Sequence, residues 1–599
     1  MAEDSSNELS VFQGKMNSKY RQSVSKILPV TKGRFSEYVR KWLVVSGLIG
    51  LVTSVAVIFL DFGIRILLLG NQFGGQASTG IIIRLYNISP GFSFIIPFVG
   101  MIIVGLLLRT FASQPLLSGT EEVLDHYHEN RTPMKVKEGF VKYIAAIFTI
   151  GFGGSAGLEG PSINAGSVAG SWLWQNFRER LGLTQEDLRI MLLAGASAGI
   201  AAIFKAPLTG IIFALEVPYK DDIARKAFLP SIISGVVSYI GFASVEGFQP
   251  LFGFPISPSV NFYAIVLSAV LGIIIGLVAV GFSVLYHFVS DSYTSRRFPF
   301  MLRYVVGGAV LGAIALLVRY SYHASYTYGA GYFLIEGSLL GSFSVEFLLA
   351  IIVLRMIATT FTLASGAVGG IFFPLVVFGS LVGSLFGVLT HSDITLFASV
   401  GIAAFMSAGY KTPLAAVTFV GDTTGSVSYL IPAMIASFVA YIVSGDNSVS
   451  SKQRTQEEVH VHELLGVKAI EALTTQITPL SSRSNIAEIM EDFLRQRSTA
   501  VVVLDEHDLP RIASLEDVLK VPVDKREATS VDSLPLREAL VVKEDDQLDY
   551  VMHKMLEERT DIAALRTHSG KIVGTLTRNS IMEYLELRKS VLPGSASES

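Results

Sequence analysis

The 599-residue chain contains no cysteine, which excludes disulfides, thiolate metal sites and a cysteine nucleophile. Charge is scarce as well, with Asp, Glu, Lys and Arg making up 16% of the residues. No Gly-x-x-x-x-Gly-Lys-Ser/Thr phosphate loop occurs, so nothing supports pumping driven by ATP. His460-Val-His462-Glu463 is not the His-Glu-x-x-His frame of a metalloprotease. The N-terminal segment has no short apolar core with a small-residue cleavage site, and no secretory signal is expected. The formal net charge of −3 excludes little, because it averages two unlike regions.

Apolar residues are what the chain has in abundance. Half of it is hydrophobic and the mean hydropathy is +0.51. From about Trp42 to Gly445 it is a series of apolar runs, and after Ser450 it is dense in charge. A large membrane domain followed by a soluble domain is the natural division. Lys15, Lys19, Arg21, Lys26, Lys32, Arg34, Arg40 and Lys41 precede the first span and place that end in the cytoplasm. Residues 1–36 read as a cytoplasmic segment, either a loose tail or a helix at the membrane surface. Leu43–Leu69 is long enough to span with tilt. Tyr143–Phe152, Met191–Ile203, Leu208–Leu215 and Leu414–Val420 are too short for clean spans. Broken helices of this kind belong to transporters built from inverted repeats.

The chain also repeats itself. Gly157-Leu-Glu-Gly-Pro161 and Gly370-Ile-Phe-Phe-Pro374 share a Gly-x-x-x-Pro frame, and Gly166-Ser-Val-Ala-Gly170 matches Gly379-Ser-Leu-Val-Gly383 at the same offset. Lys205-Ala-Pro-Leu-Thr-Gly210 recurs as Lys411-Thr-Pro-Leu-Ala-Ala416. Two related halves are implied. In each, a glycine turn leads into a helix start, where free N–H groups and the helix dipole favour an anion. Inverted halves aim both starts at one site near the membrane midplane. Glu159 lies in the first of these turns. A charge at membrane depth faces a water-filled path or a partner rather than lipid, so Glu159 reads as the gate of an anion pathway. Desolvation and the helix starts pull its proton affinity in opposite directions, which leaves it titratable.

These residues resemble the CLC chloride channel and transporter family. Gly157-Leu-Glu-Gly-Pro161 looks like the family's Gly-Lys/Arg-Glu-Gly-Pro motif, and Gly370-Ile-Phe-Phe-Pro374 looks like its Gly-x-Phe-x-Pro motif. Leu117-Ser-Gly-Thr-Glu-Glu122 looks like a degraded Gly-Ser-Gly-Ile-Pro-Glu motif. The resemblance implies an α-helical polytopic membrane protein with an inverted-repeat pore domain over residues 37–450. It implies a homodimer in membrane lipid with one pore per subunit, chloride as the transported ion, no nucleic acid and no enzymatic site. Ser118 would offer a hydroxyl to the central anion, and Glu159 would be the gating glutamate. Gly160 and Ile371–Phe373 would supply backbone N–H groups, with Phe372 lining the site. Serine at 118 fits chloride, and the Gly-Pro after Glu159 argues against the fluoride-selective branch.

The departures carry weight too. Leu158 replaces the basic residue beside the gate. The family's pore tyrosine would fall at Ser450 or Val449, where none is present, so a wider inner constriction is expected. Val217 stands where proton-coupled exchangers commonly carry an internal glutamate. A passive channel is therefore expected, with a chloride/proton antiporter as the alternative. Lys205 and Lys411 read either as cations that concentrate anions in a vestibule or as snorkelling side chains. Asp125-His-Tyr-His-Glu129 reads as a solvated helix face rather than a metal site.

Residues 451–470 read as a linker. Beyond it, helix, strand, turn, strand and helix occur twice, as Asn485–Gln496, Thr499–Leu504, Arg511–Ser514 and Leu515–Leu519, then as Gln547–Glu557, Ile562–Arg566, Ile572–Thr577 and Arg578–Glu586. This resembles a cytoplasmic α/β pair of CBS domains over 471–525 and 526–590, followed by a tail at 591–599. CBS pairs often bind adenine nucleotides, and Asp517, with Ser514 and Thr577, would form such a site here. A ligand-free dimerisation or regulatory module is the other reading. CBS pairs also accompany cation transporters and membrane proteases, but Glu159 is the lone acid in the glycine-rich breaks.

Overall fold

The computed structural model describes residues 38–69, 81–116, 119–130, 132–252, 260–295, 298–455, 467–473, 480–496, 500–558, 560, 562–578, 580, 581 and 584. They fall into two compact units, one up to Glu457 and one from Glu458.

The first unit is helical. Seven of its described helices are long and apolar enough to cross a membrane: Tyr38–Leu68, Pro90–Phe111, Arg225–Glu246, Phe262–Thr294, Phe300–Tyr322, Val345–Ala364 and Phe372–Leu389. Other helices fill the space among them, including Gln185–Ile203 and the shorter Gly119–Asp125, Pro207–Glu216, Ile394–Tyr410, Pro413–Thr424 and Leu430–Val443. The ten residues of Pro207–Glu216 rise only about 15 Å, half of the hydrocarbon thickness. Such a helix ends inside the unit and must find partners there for its free N–H groups.

The repeat supplies those partners symmetrically. The backbone N–H of Thr209 donates to Asp422 Oδ2 at 2.9 Å, and the N–H groups of Leu414 and Ala415 donate to Glu216 Oε1 and Oε2 at 3.1 and 2.8 Å. Each short helix thus receives on its N-terminus the carboxylate from the last turns of the other. A carboxylate there satisfies orphan donors and meets the positive end of the dipole. The helices must therefore run antiparallel, as inverted copies do.

The glycine frames pack the same way in both halves. A side chain at Gly166 would strike the carbonyl of Gly195, and one at Gly379 would strike that of Gly401. Backbones come this close only where small residues line the contact. The ends of the paired helices match as well: Lys205 and Lys411 both take the left-handed conformation, with φ of 50° and 57°. Lys205 lies within electrostatic reach of Asp61, Arg65 and Glu246. The Lys411 ammonium donates to Ser444 Oγ at 2.5 Å.

The expectation of a solvated face at 125–129 fails at Asp125, Tyr127 and His128. Asp125 is buried against Lys452 at 2.7 Å, and buried His128 bonds the carbonyl of Pro218 at 2.9 Å. Buried Tyr127 lies under the Arg189 guanidinium. The sequence hid this, because the partners of Asp125, Tyr127 and His128 lie on distant segments. Residues 454 and 455, at the start of the stretch read as a linker, are tied by backbone hydrogen bonds to residues 218–221.

Among its described residues the second unit holds two sheets. One runs in the order Leu480–Ser481, Ala500–Leu504, Pro510–Ser514, Arg537–Glu538, and the other in the order Leu540–Lys543, Ile562–Arg566, Ile572–Thr577. Each begins with a parallel pair and continues antiparallel. Val502 and Ile512 of one pack on Ile562, Ala564 and Ile572 of the other. The amphipathic helices Ile486–Gln496 and Leu548–Glu557 bury their apolar sides on these sheets.

Candidate functional site

The two pentapeptides meet. Gly157 and Gly370 exchange backbone hydrogen bonds, N–H to O at 2.8 and 2.9 Å, as a two-residue antiparallel bridge. The helices Glu159–Leu181 and Phe372–Leu389 start on either side of it. A third segment closes the site. A side chain built at Gly119 would come within 3.1 Å of the Gly160 backbone and 3.4 Å of the Gly369 carbonyl. Gly119 has φ of +61°, a conformation that glycine adopts without the penalty of a Cβ.

Glu159 opens its own helix but reaches across to the other. It is fully buried, and its Oε1 accepts the backbone N–H of Phe373 at 3.2 Å. The amides of Phe372 and of Glu159 itself lie close by. Its Oε2 has no hydrogen-bond partner among the described residues. Glycines make room for the carboxylate, since a side chain at Gly157 or at Gly370 would occupy its place. The site is thus a carboxyl group held by amides at a helix start, with one oxygen left over.

Phe372 forms the apolar wall. Its ring stacks on Phe204 at 5.3 Å and meets Phe213 and Phe419 edge-on at 5.1 and 5.4 Å. Phe373 stacks on Phe204 at 5.4 Å and lies 4.5 Å from the Tyr332 ring. Ile371 and Gly160 are buried beside them. Ser118 lies outside the described residues; Gly119 follows it directly.

A cavity of about 210 Å³ extends from Gly369, Gly370 and Ile371 to the exposed Asp291. Val449 lines it, and the buried Ser450 lies between Val449 and Ser451, which line it too. The Tyr410 ring, from the end of Ile394–Tyr410, stands on this cavity next to the Val449 loop, whose N–H bonds the carbonyl of Gly409 at 2.9 Å. An aromatic hydroxyl is therefore present although 449 and 450 supply none. The signal lay in the repeat, where Phe204-Lys205 recurs as Tyr410-Lys411. Val217 is buried, and its carbonyl accepts Gln453 Nε2 at 3.0 Å. The neighbouring Glu216 is committed to the start of the helix Pro413–Thr424.

In the second unit, Ser514 and Thr577 occupy equivalent stations where a strand enters a helix. Ser514 Oγ accepts the N–H of Glu516, and Thr577 Oγ1 accepts that of Ser580. Asp517 pairs with Lys520 at 2.8 Å. Among the described residues no cluster of three or more acids or histidines is arranged for a metal.

A family profile described as voltage gated chloride channel matches residues 100–445, and one described as CBS domain matches 531–587. A putative chloride channel protein ClcB-like from Ralstonia nicotianae is 24% identical over 67% of this chain and 93% of that protein. An H(+)/Cl(-) exchange transporter ClcA from Salmonella arizonae is 30% identical over 56% of this chain and 72% of that protein. Among solved structures, a slow cyanobacterial Cl-/H+ antiporter superposes with a TM-score of 0.58 at 23% identity, covering 67% of this chain and 94% of that one. A eukaryotic CLC transporter does so with a TM-score of 0.57 at 17% identity, covering 91% and 98%.

Proposed function

Because the chain belongs to the voltage gated chloride channel (CLC) family, we propose that it moves chloride across a membrane along a path that the Glu159 carboxylate closes. The observation that carries this reading is Oε1 on the Phe373 amide. A carboxylate there takes the place of one chloride, since both bear a single negative charge and both are drawn to unpaired N–H groups at a helix start. Protonation or displacement of Glu159 frees the amides for the ion. Gly160 and Ile371–Phe373 supply the cradle, and Ser118 adds its hydroxyl from the segment ahead of Gly119. The test is chloride efflux from proteoliposomes across a range of pH. Glu159→Gln keeps efflux and loses pH dependence; an unchanged pH response removes Glu159 from the role.

Passive conduction is the mode that Val217 supports, because a proton route needs ionisable groups. Exchange of chloride for protons is the second reading. It is favoured by Glu121, a carboxylate on the wall of the cavity, and by relatives named as exchange transporters. Chloride efflux that drives protons uphill decides between them.

The assembly in this reading is a homodimer with both termini in the cytoplasm. Leu208 and Leu414 are exposed on helices too short to span, which suits a protein neighbour better than a lipid tail. Crosslinking of cysteines placed at 208 and 414 tests it, and monomers alone would refute it. An adenine nucleotide in the CBS pair would have to take Asp517 from Lys520. ATP raising the thermal midpoint of wild type but not of Asp517→Ala supports such a site, and no shift in either rejects it.

A further inference from the structure

The acids of the membrane unit are mostly committed. Glu122 pairs with Lys142 at 2.7 Å, Asp125 with Lys452, and Asp61 with Arg65 at 2.6 Å. Glu216 and Asp422 sit on helix starts. Glu121 differs. Among the described residues no cation pairs with it; its Oε2 accepts the N–H and O–H of Ser451, at 3.3 and 3.1 Å, and the Ser450 hydroxyl also faces the carboxylate. It lines a cavity of about 210 Å³, room for several waters at about 30 Å³ each.

Two further groups point the same way. Thr120, 5% exposed, lines the cavity, and its buried hydroxyl has the Tyr410 hydroxyl as its neighbour. Tyr410 lines it too, and its hydroxyl lies within electrostatic reach of both Glu121 and Glu159. The groups facing Glu121 are Tyr286, His287 and Asp291 from Phe262–Thr294, Tyr410, and the hydroxyls of Ser450 and Ser451. Lys452 is held by Asp125 at the far end of Glu121's own helix.

We infer that Glu121 is the carboxylate that passes protons between the cavity water and Glu159, with Tyr410 between them; the inference rests on the exchange reading above. Cavity water protonates Glu121. The proton then leaves its O–H for the Tyr410 oxygen, directly or through water, while Tyr410 releases its own hydroxyl proton toward the Glu159 carboxylate. Glu121 and Tyr410 return to their starting forms, and one proton has moved. Ionised Glu121 repels chloride from the cavity wall and protonated Glu121 does not, so proton arrival and anion entry are linked.

The test uses full-length protein in proteoliposomes with an outward chloride gradient, recording chloride efflux and proton uptake together. Wild type takes up protons. Glu121→Gln, which keeps an oxygen for Ser451, loses proton uptake and still passes chloride, and Glu121→Asp regains uptake. Tyr410→Phe slows protons more than chloride and provides a second readout should Glu121→Gln fail to fold. Wild-type proton uptake persisting in Glu121→Gln overturns the assignment and leaves exchange standing. No proton uptake by wild type sinks the exchange reading and this inference with it, while the pH response of Glu159→Gln still tests the gate separately.

Discussion

Truncating Glu159 should expose the Phe373 amide to chloride by a calculable amount. In the wild type a tethered carboxylate holds that N–H at 3.2 Å. A hydrogen bond to a charged group contributes about 1.5–3 kcal/mol, which corresponds to roughly tenfold to roughly 150-fold in favour of the closed arrangement. A free ion must overcome that preference, so its apparent affinity is reduced by the same factor. Glu159→Ala removes the competitor and should tighten chloride binding within that range. Glu159→Gln keeps a neutral acceptor worth about 0.5–1.5 kcal/mol and should fall between alanine and wild type. Isothermal titration of detergent-solubilised protein with chloride gives the three dissociation constants. Equal constants for wild type and Glu159→Ala, or glutamine binding more tightly than alanine, would refute the reasoning.

Other consequences concern stability. Gly379→Ala puts a methyl against the Gly401 carbonyl and should cost about 1–3 kcal/mol as an overpacked contact, read as a lower thermal midpoint. Glu216→Ala and Asp422→Ala each strip a helix start of its acceptor, costing about 0.5–2 kcal/mol apiece; similar midpoint losses in both would show that the two caps are equivalent, and a loss in only one would not. In the second unit, the Lys468 ammonium holds Asp545 below the usual carboxylate range, and the backbone N–H of His568 does the same for Glu544. Groups with depressed folded values stabilise above the ordinary carboxylate range and lose that contribution as pH falls through their folded values. That unit's unfolding midpoint should drop on acidification, and Asp545→Asn should flatten part of the drop.

Much of the fold was legible because repetition in this chain is physical rather than decorative. Equal offsets at Gly157/Gly370 and Gly166/Gly379 announced two copies, and the copies meet at a shared hydrogen-bonded bridge. Strand limits in the second unit were readable where β-branched residues cluster, as in Ala500–Leu504 and Ile572–Thr577. Long-range pairing was harder to read. Glu216 looks like an idle acid next to Val217 until Leu414 and Ala415 are placed beside it. Asp125 looks solvated until Lys452 arrives from more than three hundred residues away. Tyr410 escaped notice because it reaches the cavity from the end of a helix, rather than from the loop at 449–450 where a tyrosine was sought.

The central claim is that one amide cradle serves both Glu159 and the transported ion. Anomalous diffraction from crystals grown in bromide, for wild type and Glu159→Gln, tests it most directly. The account predicts a bromide peak at the Phe373 amide in the variant, and in the wild type a carboxylate there instead. A variant with no bromide at that amide, or a wild type holding ion and carboxylate there together, would contradict it.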